Sequence, residues 1–463
     1  MIEKHREWVF TALLGAWAFG LLFLTPPFQV ADENMHFTRA WQVSELTFMA
    51  SKEGPELGGI LPEILKPDRA KFDFLPFNPN AKLSYEQFRQ MRRESPRMNA
   101  ENLSQRSFQA FANTALYSPV PYMFSAAGLG AARLFSVRVI KGFYIGRIFN
   151  LLAALAIFYG ALKLLGKLPE WQLMIFLVAA LPMMAFQLMS YSADSTTFVF
   201  AVLVLACIGR LRHSWSPGVY GLLLLASILL GLCKQTYVLL PTSVLLCWRS
   251  LPGSRAHKFG WALLVMAAAA LPMLAWSKMV QPIFVPHLKN VHIDPVAQAV
   301  FFLQNWTVLV SHFFEVLFYD NAKFYWETMY GCLGWLDTAL PYQNAEYHWA
   351  LLFASMIVPV SRENSLSIPL KFWQLLVVMG SILLICISIY LSWNAVGVIA
   401  IAGIQGRYFL PLIPFFMVIF YRLAPISIGP TFYYVGFIPV SIGVCCYLNW
   451  TAATIVLQRY WIP

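Results

Sequence analysis

Apolar runs long enough to cross a bilayer recur along the whole chain, and that recurrence restricts the fold more than any motif does. A spanning helix needs about 20 mostly apolar residues, and inside lipid its backbone has no water to bond to, so the hydrogen bonds must be internal. By hydropathy eleven segments qualify or come close: 8–25, 142–165, 171–191, 195–211, 217–233, 236–248, 259–279, 347–361, 371–393, 408–424 and 431–456. Segment 236–248 is short and 118–136 is ambiguous, so the expected number runs from 10 to 13. Charged residues are 12% of the chain and hydrophobic ones 59%, where soluble domains have about 25% and about 45–50%. The expectation is an all-α polytopic membrane protein, with residues 1–463 forming a single integral membrane domain.

A net charge of +11 does not make this a nucleic-acid binder, because Lys and Arg are spread over many loops and no compact basic domain gathers them. Membrane lipids are the expected surroundings, and no nucleic acid is expected as a partner. The basic start Lys4, His5 and Arg6 has the look of a signal peptide. The apolar run behind it is longer than a usual signal core, however, and no small-x-small cleavage site follows, so it reads as an uncleaved helix. Cys207, Cys233, Cys247, Cys386, Cys445 and Cys446 lie in apolar runs and Cys332 lies in a long loop, which is neither a disulfide framework nor zinc-ligand spacing.

The positive-inside rule orients the chain. With 118–136 left outside the membrane, Lys163, Lys167, Arg210, Arg212, Arg249, Arg255, Lys258, Arg362, Lys371 and Arg422 fall on the side of Lys4 and Arg6. The N-terminus is then inside and the C-terminus outside. Two long outer loops result. The first, 26–141, is polar and proline-containing, with amphipathic pieces such as Tyr85 to Arg93 and a closing run Tyr117-Ser118-Pro119-Val120-Pro121-Tyr122 that leads into a juxtamembrane helix at 123–135. The second, 280–346, is dense in aromatics, among them Trp306, Tyr319, Tyr325, Trp326, Tyr330 and Trp335, residues that favour the headgroup level.

On this topology an unusual set of polar residues shares one depth. Asp32, Glu33, His36 and Arg39 follow Pro26-Pro27 at the exit of the first span; Asp194 ends the third; Lys234 and Gln235 lie between the fifth and sixth; Gln405, Gly406, Arg407 and Tyr408 precede the tenth. Each has a plain structural reading beside a functional one. Two acids at a helix exit can simply be solvated, yet two prolines fix how the chain leaves the helix, and i+3 or i+4 spacing can put His36 and Arg39 on the face of the acids. His36 can be a structural hydrogen-bonding residue, and Asp194 can cap the helix that starts at Ser195. Lys234 can snorkel, but a cation in the otherwise apolar stretch Leu224–Leu240 costs about 2.5–3.5 kcal/mol at mid-helix unless an anion offsets it. Arg407 can anchor at the interface or grip phosphate oxygens through its planar fork, with Gly406 permitting close backbone approach.

Pro26-Pro27, Asp32-Glu33, His36-Phe37 and Arg39, then Tyr117-Ser118-Pro119, Pro121-Tyr122, Arg147, Asn150 and Gln405-Gly406-Arg407-Tyr408 with Leu410-Pro411, resemble a bacterial family of predicted membrane proteins of unknown function. That family is similar in layout to the GT-C membrane glycosyltransferases. The resemblance implies a GT-C-like fold with juxtamembrane helices in the first outer loop, a bacterial cytoplasmic (inner) membrane location and a site on the periplasmic or extracellular face. It implies a hexosyl or pentosyl transferase of cell-envelope polysaccharide biosynthesis that moves a sugar from a polyprenyl-phosphate donor to a glycan or glycolipid acceptor, with inversion. Asp32 or Glu33 would occupy the catalytic acid position, and His36, Arg39, Tyr117, Asp194, Lys234, Gln235, Gln405, Arg407 and Tyr408 would bind substrate. An Asp-Glu pair in place of Asp-x-Asp leaves both the identity of the base and the use of a divalent metal open, and no metal ligand is assigned. Two other classes fit less well: a lipid-linked glycan polymerase or ligase would use the same outer loops, and a lipid-linked saccharide transporter would place its charges nearer the bilayer midplane.

Overall fold

A computed structural model describes residues 2–286, 292–357, 366–420 and 429–462. Helix α1 (Arg6–Leu24) is the first span; its 19 residues reach about 28 Å at 1.5 Å per residue, close to the hydrocarbon thickness. Six helices are long and apolar enough to cross a membrane, or up to eight if each of two bent pairs is one span. The chain is therefore an all-α polytopic membrane protein, and the difference from the expected eleven has local causes. The stretch 171–191 is not one straight rod, because Pro182 breaks it into α6 (Pro169–Ala179) and α7 (Pro182–Leu188), bent by 79°. The stretch 236–248 is wound as 3-10 turns, Gln235–Tyr237 and Leu240–Cys247, around Pro241. Helices α9 (Pro217–Cys233) and α14 (Tyr342–Ile357) are shorter than a full span. Arg362 and Arg422, two of the residues used to orient the chain, lie outside the described residues.

At the centre stands α8 (Ala193–His213), apolar on all sides and buried over 89% of its spanning window, whereas the other five long spans are buried over 17–44% of theirs. A helix hydrophobic all round belongs in the interior. Against it pack α5 (Val139–Leu164), α7, α9 and α16 (Ile413–Phe420), and beyond these lie α1, α10 (Arg255–Val280), α15 (Ile368–Trp393) and α17 (Ile438–Tyr460). Breaking α6 from α7 frees backbone carbonyls inside the bundle, and polar side chains from other helices answer them: His348 Nε2 lies 2.7 Å from Leu177 O, and Asn449 Nδ2 donates to Ala180 O at 2.9 Å. Such replacement is what lets a broken helix persist at membrane depth.

Basic residues gather at one end of the bundle. There Arg6 donates to Gly166 O at 3.1 Å and to Gln172 Oε1 at 2.8 Å, Arg212 stands 6.0 Å from the Trp171 ring, and Lys258 donates to Trp248 O at 3.1 Å. The opposite end carries the first long loop: α2 (Glu33–Ser44), an antiparallel sheet of β1 (Ser51–Glu53), β2 (Glu56–Pro62) and β3 (Arg106–Ala110), α3 (Tyr85–Glu94), and α4 (Met123–Leu134). Segment 123–135 is indeed too short to span. It runs back along α5, Gly128 against Gly146, where a Cβ on Gly128 would lie 2.9 Å from Gly146 Cα. Arg147 of α5 donates to Leu22 O of α1, and the eight α5 residues before it, Val139–Gly146, span about 12 Å toward the loop end. The loop 280–346 contributes α11 (Pro295–Gln304), α12 (Trp306–Glu315) and α13 (Ala322–Tyr330), with α11 and the segment after it bent by 97°.

Candidate functional site

The site begins at the turn between α1 and α2. Pro26 and Pro27 end the first helix, and the chain reverses through two residues in the left-handed region, Phe28 at φ 64° and Asp32 at φ 62°. Asp tolerates that conformation because its short side chain can bond locally. Asp32 holds the N-cap position of α2 but does not cap it. Its carboxylate turns outward, accepts from Asn113 Nδ2 at 3.0 Å and lies 3.5 Å from Arg407 Nη2, with the side chain 38% exposed.

Glu33 faces the other way. Its side chain and that of Arg147 are both fully buried, joined by two hydrogen bonds of 2.9 and 2.5 Å. Arg147 also donates to Thr25 O at 2.8 Å and to Leu22 O and Pro26 O at 3.3 Å each, while Glu33 Oε1 accepts from Tyr191 N at 3.3 Å. This pair clamps the end of α1 to the start of α2 and holds the turn that presents Asp32. Of the two adjacent acids, only Asp32 is open to a ligand.

The four polar residues of this segment were expected on one face, and they divide. At 100° per residue, Arg39 sits about 240° from Glu33. It donates to Tyr117 O at 2.8 Å, to Phe48 O at 2.7 Å and to Gln42, tying α2 to the rest of the loop. His36 stays with the site, its Nδ1 2.8 Å from the Tyr122 hydroxyl. Burial pushes the His36 imidazole down to about 4, although Asp32 and Asp194 pull in the opposite direction. At neutral pH it is an uncharged ring.

Asp194 lies in the first turn of α8. Ser192, not Asp194, caps that helix, its hydroxyl accepting from Asp194 N at 3.2 Å. The carboxylate is left for two cations: Lys234 Nζ bonds Oδ1, and Arg407 Nε lies 3.6 Å from Oδ2. Lys234, at the end of α9, thus has a protein carboxylate as its anion. Its ammonium also stands 5.0 Å from the Tyr408 ring centre and 6.0 Å from that of Tyr117, a placement favoured by the ring quadrupoles. Arg407 is 4% exposed and lies 5.6 Å from the Tyr408 ring, and its Nε makes no hydrogen bond. Gly406 is required by contact with α13: a Cβ there would fall 2.0 Å from Tyr325 O. Beside it, the buried Gln405 Oε1 has no hydrogen-bond partner. Gln235 is exposed and contributes no side-chain hydrogen bond among those found in the described residues.

Asp32, His36, Tyr117, Asp194, Lys234, Arg407 and Tyr408, far apart in sequence, therefore meet at one end of the bundle. Asn113, Tyr122 and Tyr237, whose hydroxyl donates to Tyr408 O at 2.7 Å, complete the walls. Asn113 carries no sequence signal, since a lone Asn in a polar loop is unremarkable. Arg147 does carry one: an arginine inside a 26-residue apolar helix demands an anion. Among the described residues no group of three His, Cys, Asp or Glu could hold a metal ion. Arg407 stands between the two carboxylates that are near each other, so the donor set does not suit a divalent cation.

Fold and site together define a polytopic α-helical membrane protein with a charge-paired polar site at one end of its bundle. The chain belongs to the family described as predicted membrane protein (DUF2142), which matches residues 14–416 and so includes every site residue from Asp32 to Tyr408. No curated protein and no solved structure matches it.

Proposed function

We propose that the chain is a membrane glycosyltransferase that moves a sugar from a polyprenyl-phosphate donor to a cell-surface glycan or lipid-linked acceptor on the outer face of the cytoplasmic membrane. The observation that carries this reading is the juxtaposition of an accessible carboxylate, Asp32, with two cations, the buried Arg407 and the partly buried Lys234, at the end of the spanning helices. A lipid-borne phosphate reaches that depth without leaving the bilayer.

In the proposed reaction the donor phosphate binds Arg407 and Lys234. Arg407 is suited to exchange partners, because it approaches both Asp32 and Asp194 at 3.5–3.6 Å with no hydrogen bond from Nε. Once phosphate takes Arg407, Asp32 is released from its ion pair and Asn113 keeps it in place. Asp32 then accepts the proton of the acceptor hydroxyl as that oxygen attacks the anomeric carbon from the opposite side. The new C–O bond forms, the bond from the anomeric carbon to the phosphate oxygen breaks with its electron pair going to phosphate, and configuration inverts. Preorganised cations stabilise the departing charge, and general-base assistance contributes about 10²–10⁴-fold. Asp194 orients Lys234. Neutral His36 supports the wall through Tyr122.

The test uses cells that lack the chain, complemented with wild type or Asp32→Asn at equal abundance, and compares their surface glycan linkages. Wild type should restore a missing linkage and Asp32→Asn should not. Full restoration by Asp32→Asn would sink the assignment and favour transport or assembly of lipid-linked glycans.

A further inference from the structure

Helix α3 is capped at its start by a reciprocal box between Ser84 and Gln87 and buries no residue fully. One ridge, Phe88 and Met91, packs on the protein. The Phe88 ring lies 5.4 Å from Trp461 and 6.4 Å from Tyr144. Both neighbours mark the end of the first span: Trp461 Nε1 donates to Leu24 O at 2.6 Å, and Tyr144 stacks at 6.3 Å on Phe23, which is 59% exposed on the last turn of α1. An exposed Phe beside Tyr and Trp at a span terminus is the aromatic girdle of a membrane–water boundary. Helix α3 is seated on that girdle.

Its remaining surface carries three arginines against two exposed glutamates, Glu86 and Glu94, and is net positive. Arg89, Arg92 and Arg93 are exposed, as is Arg97 just beyond. The Arg92 guanidinium lies 5.7 Å from the Phe88 ring centre, which places its charge beside the girdle. Among the described residues none of these arginines has an ion pair with Asp or Glu, and of the helix's two acids Glu94 accepts from Gln90 at 2.7 Å. Guanidinium groups that form no ion pair and outnumber the acids of their helix, with that helix fixed by aromatic contacts at headgroup depth, match phosphate-bearing headgroups in charge and in fork geometry.

We propose that α3 is a headgroup-binding element that takes phospholipids of net negative charge and holds the first outer loop down on the bilayer. The proposal is independent of the transfer reaction, since none of these arginines belongs to the Asp32–Arg407 site. The test titrates the purified full chain, in neutral detergent, with phosphatidylglycerol, with phosphatidylcholine, or with inorganic phosphate. It follows the thermal midpoint and counts retained lipids by native mass spectrometry. Phosphatidylglycerol should raise the midpoint and be retained, and phosphatidylcholine should not. The variant Arg89→Gln/Arg92→Gln/Arg93→Gln should bind phosphatidylglycerol about 10–100-fold more weakly, a few-fold per arginine. Glu86→Gln/Glu94→Gln, which removes only the acids, should bind it more tightly and keeps the question decidable if the triple variant is poorly folded. Wild-type retention by the triple variant, equal binding of phosphatidylcholine, or an equal shift from inorganic phosphate would each overturn the proposal, the last by showing a site for free anions.

Discussion

Asp32 and Glu33 are adjacent carboxylates with opposite surroundings, and that contrast makes their substitutions separable. Removing Glu33 leaves Arg147 buried without its anion, a change that costs about 3–5 kcal/mol, so Glu33→Gln should lower the thermal midpoint sharply and reduce the yield of folded protein. Asp32→Asn should leave the midpoint nearly unchanged while lowering the proposed transfer by about 10²–10⁴-fold. Asp32→Ala should be less stable than Asp32→Asn by about 1–2 kcal/mol, because alanine lacks the short polar side chain that tolerates φ near +62°. His36 sets a pH dependence. Its folded value is depressed to about 4 from 6.5, so its stabilising contribution is complete above 6.5 and lost as pH falls toward 4, about 3 kcal/mol in all. Thermal midpoints of wild type and His36→Gln should therefore converge or cross as pH is lowered through that window; parallel curves would contradict it. The sequence made the acidic pair visible, but not which acid is free. That depends on which way each side chain leaves the turn, and on Arg147, more than a hundred positions away.

Elements were legible where hydropathy is continuous and illegible where the backbone changes pitch. Hydropathy cannot see that Pro182 bends 171–191, or that 236–248 winds in 3-10 turns, because apolar composition persists through both. It also cannot see close helix contacts. A Cβ on Gly146 would fall 1.9 Å from the Tyr191 hydroxyl, which donates to Phe143 O at 2.9 Å. Gly146→Ala should then destabilise by about 1–3 kcal/mol, as overpacking does. Combining it with Tyr191→Phe should cost less than the sum of the two single changes, since the second removes the atom that the first collides with. Strict additivity in thermal unfolding would show that α5 shifts instead.

At the scale of the molecule, the charge bias of the loops anticipated one feature well: Arg6, Arg212 and Lys258 do share an end of the bundle, opposite Asp32 and Arg407. We propose, on the positive-inside rule, that this basic end faces the cell interior. On that reading an impermeant maleimide applied to intact cells should label Lys52→Cys and spare Lys167→Cys, both exposed, in a background with the half-buried Cys332 and Cys446 changed to serine. The reverse pattern would invert the topology and move the site to the inner face. The balance of charge inside the site has a kinetic consequence. Two carboxylates and two cations, with His36 neutral, sum to zero, so the assembled cluster projects little field beyond a Debye length, about 8 Å at physiological ionic strength. Capture of an anionic ligand should then be governed by lateral encounter within the bilayer and by partner exchange at Arg407, and its association rate should barely change with salt, unlike the steep dependence of electrostatically steered binding.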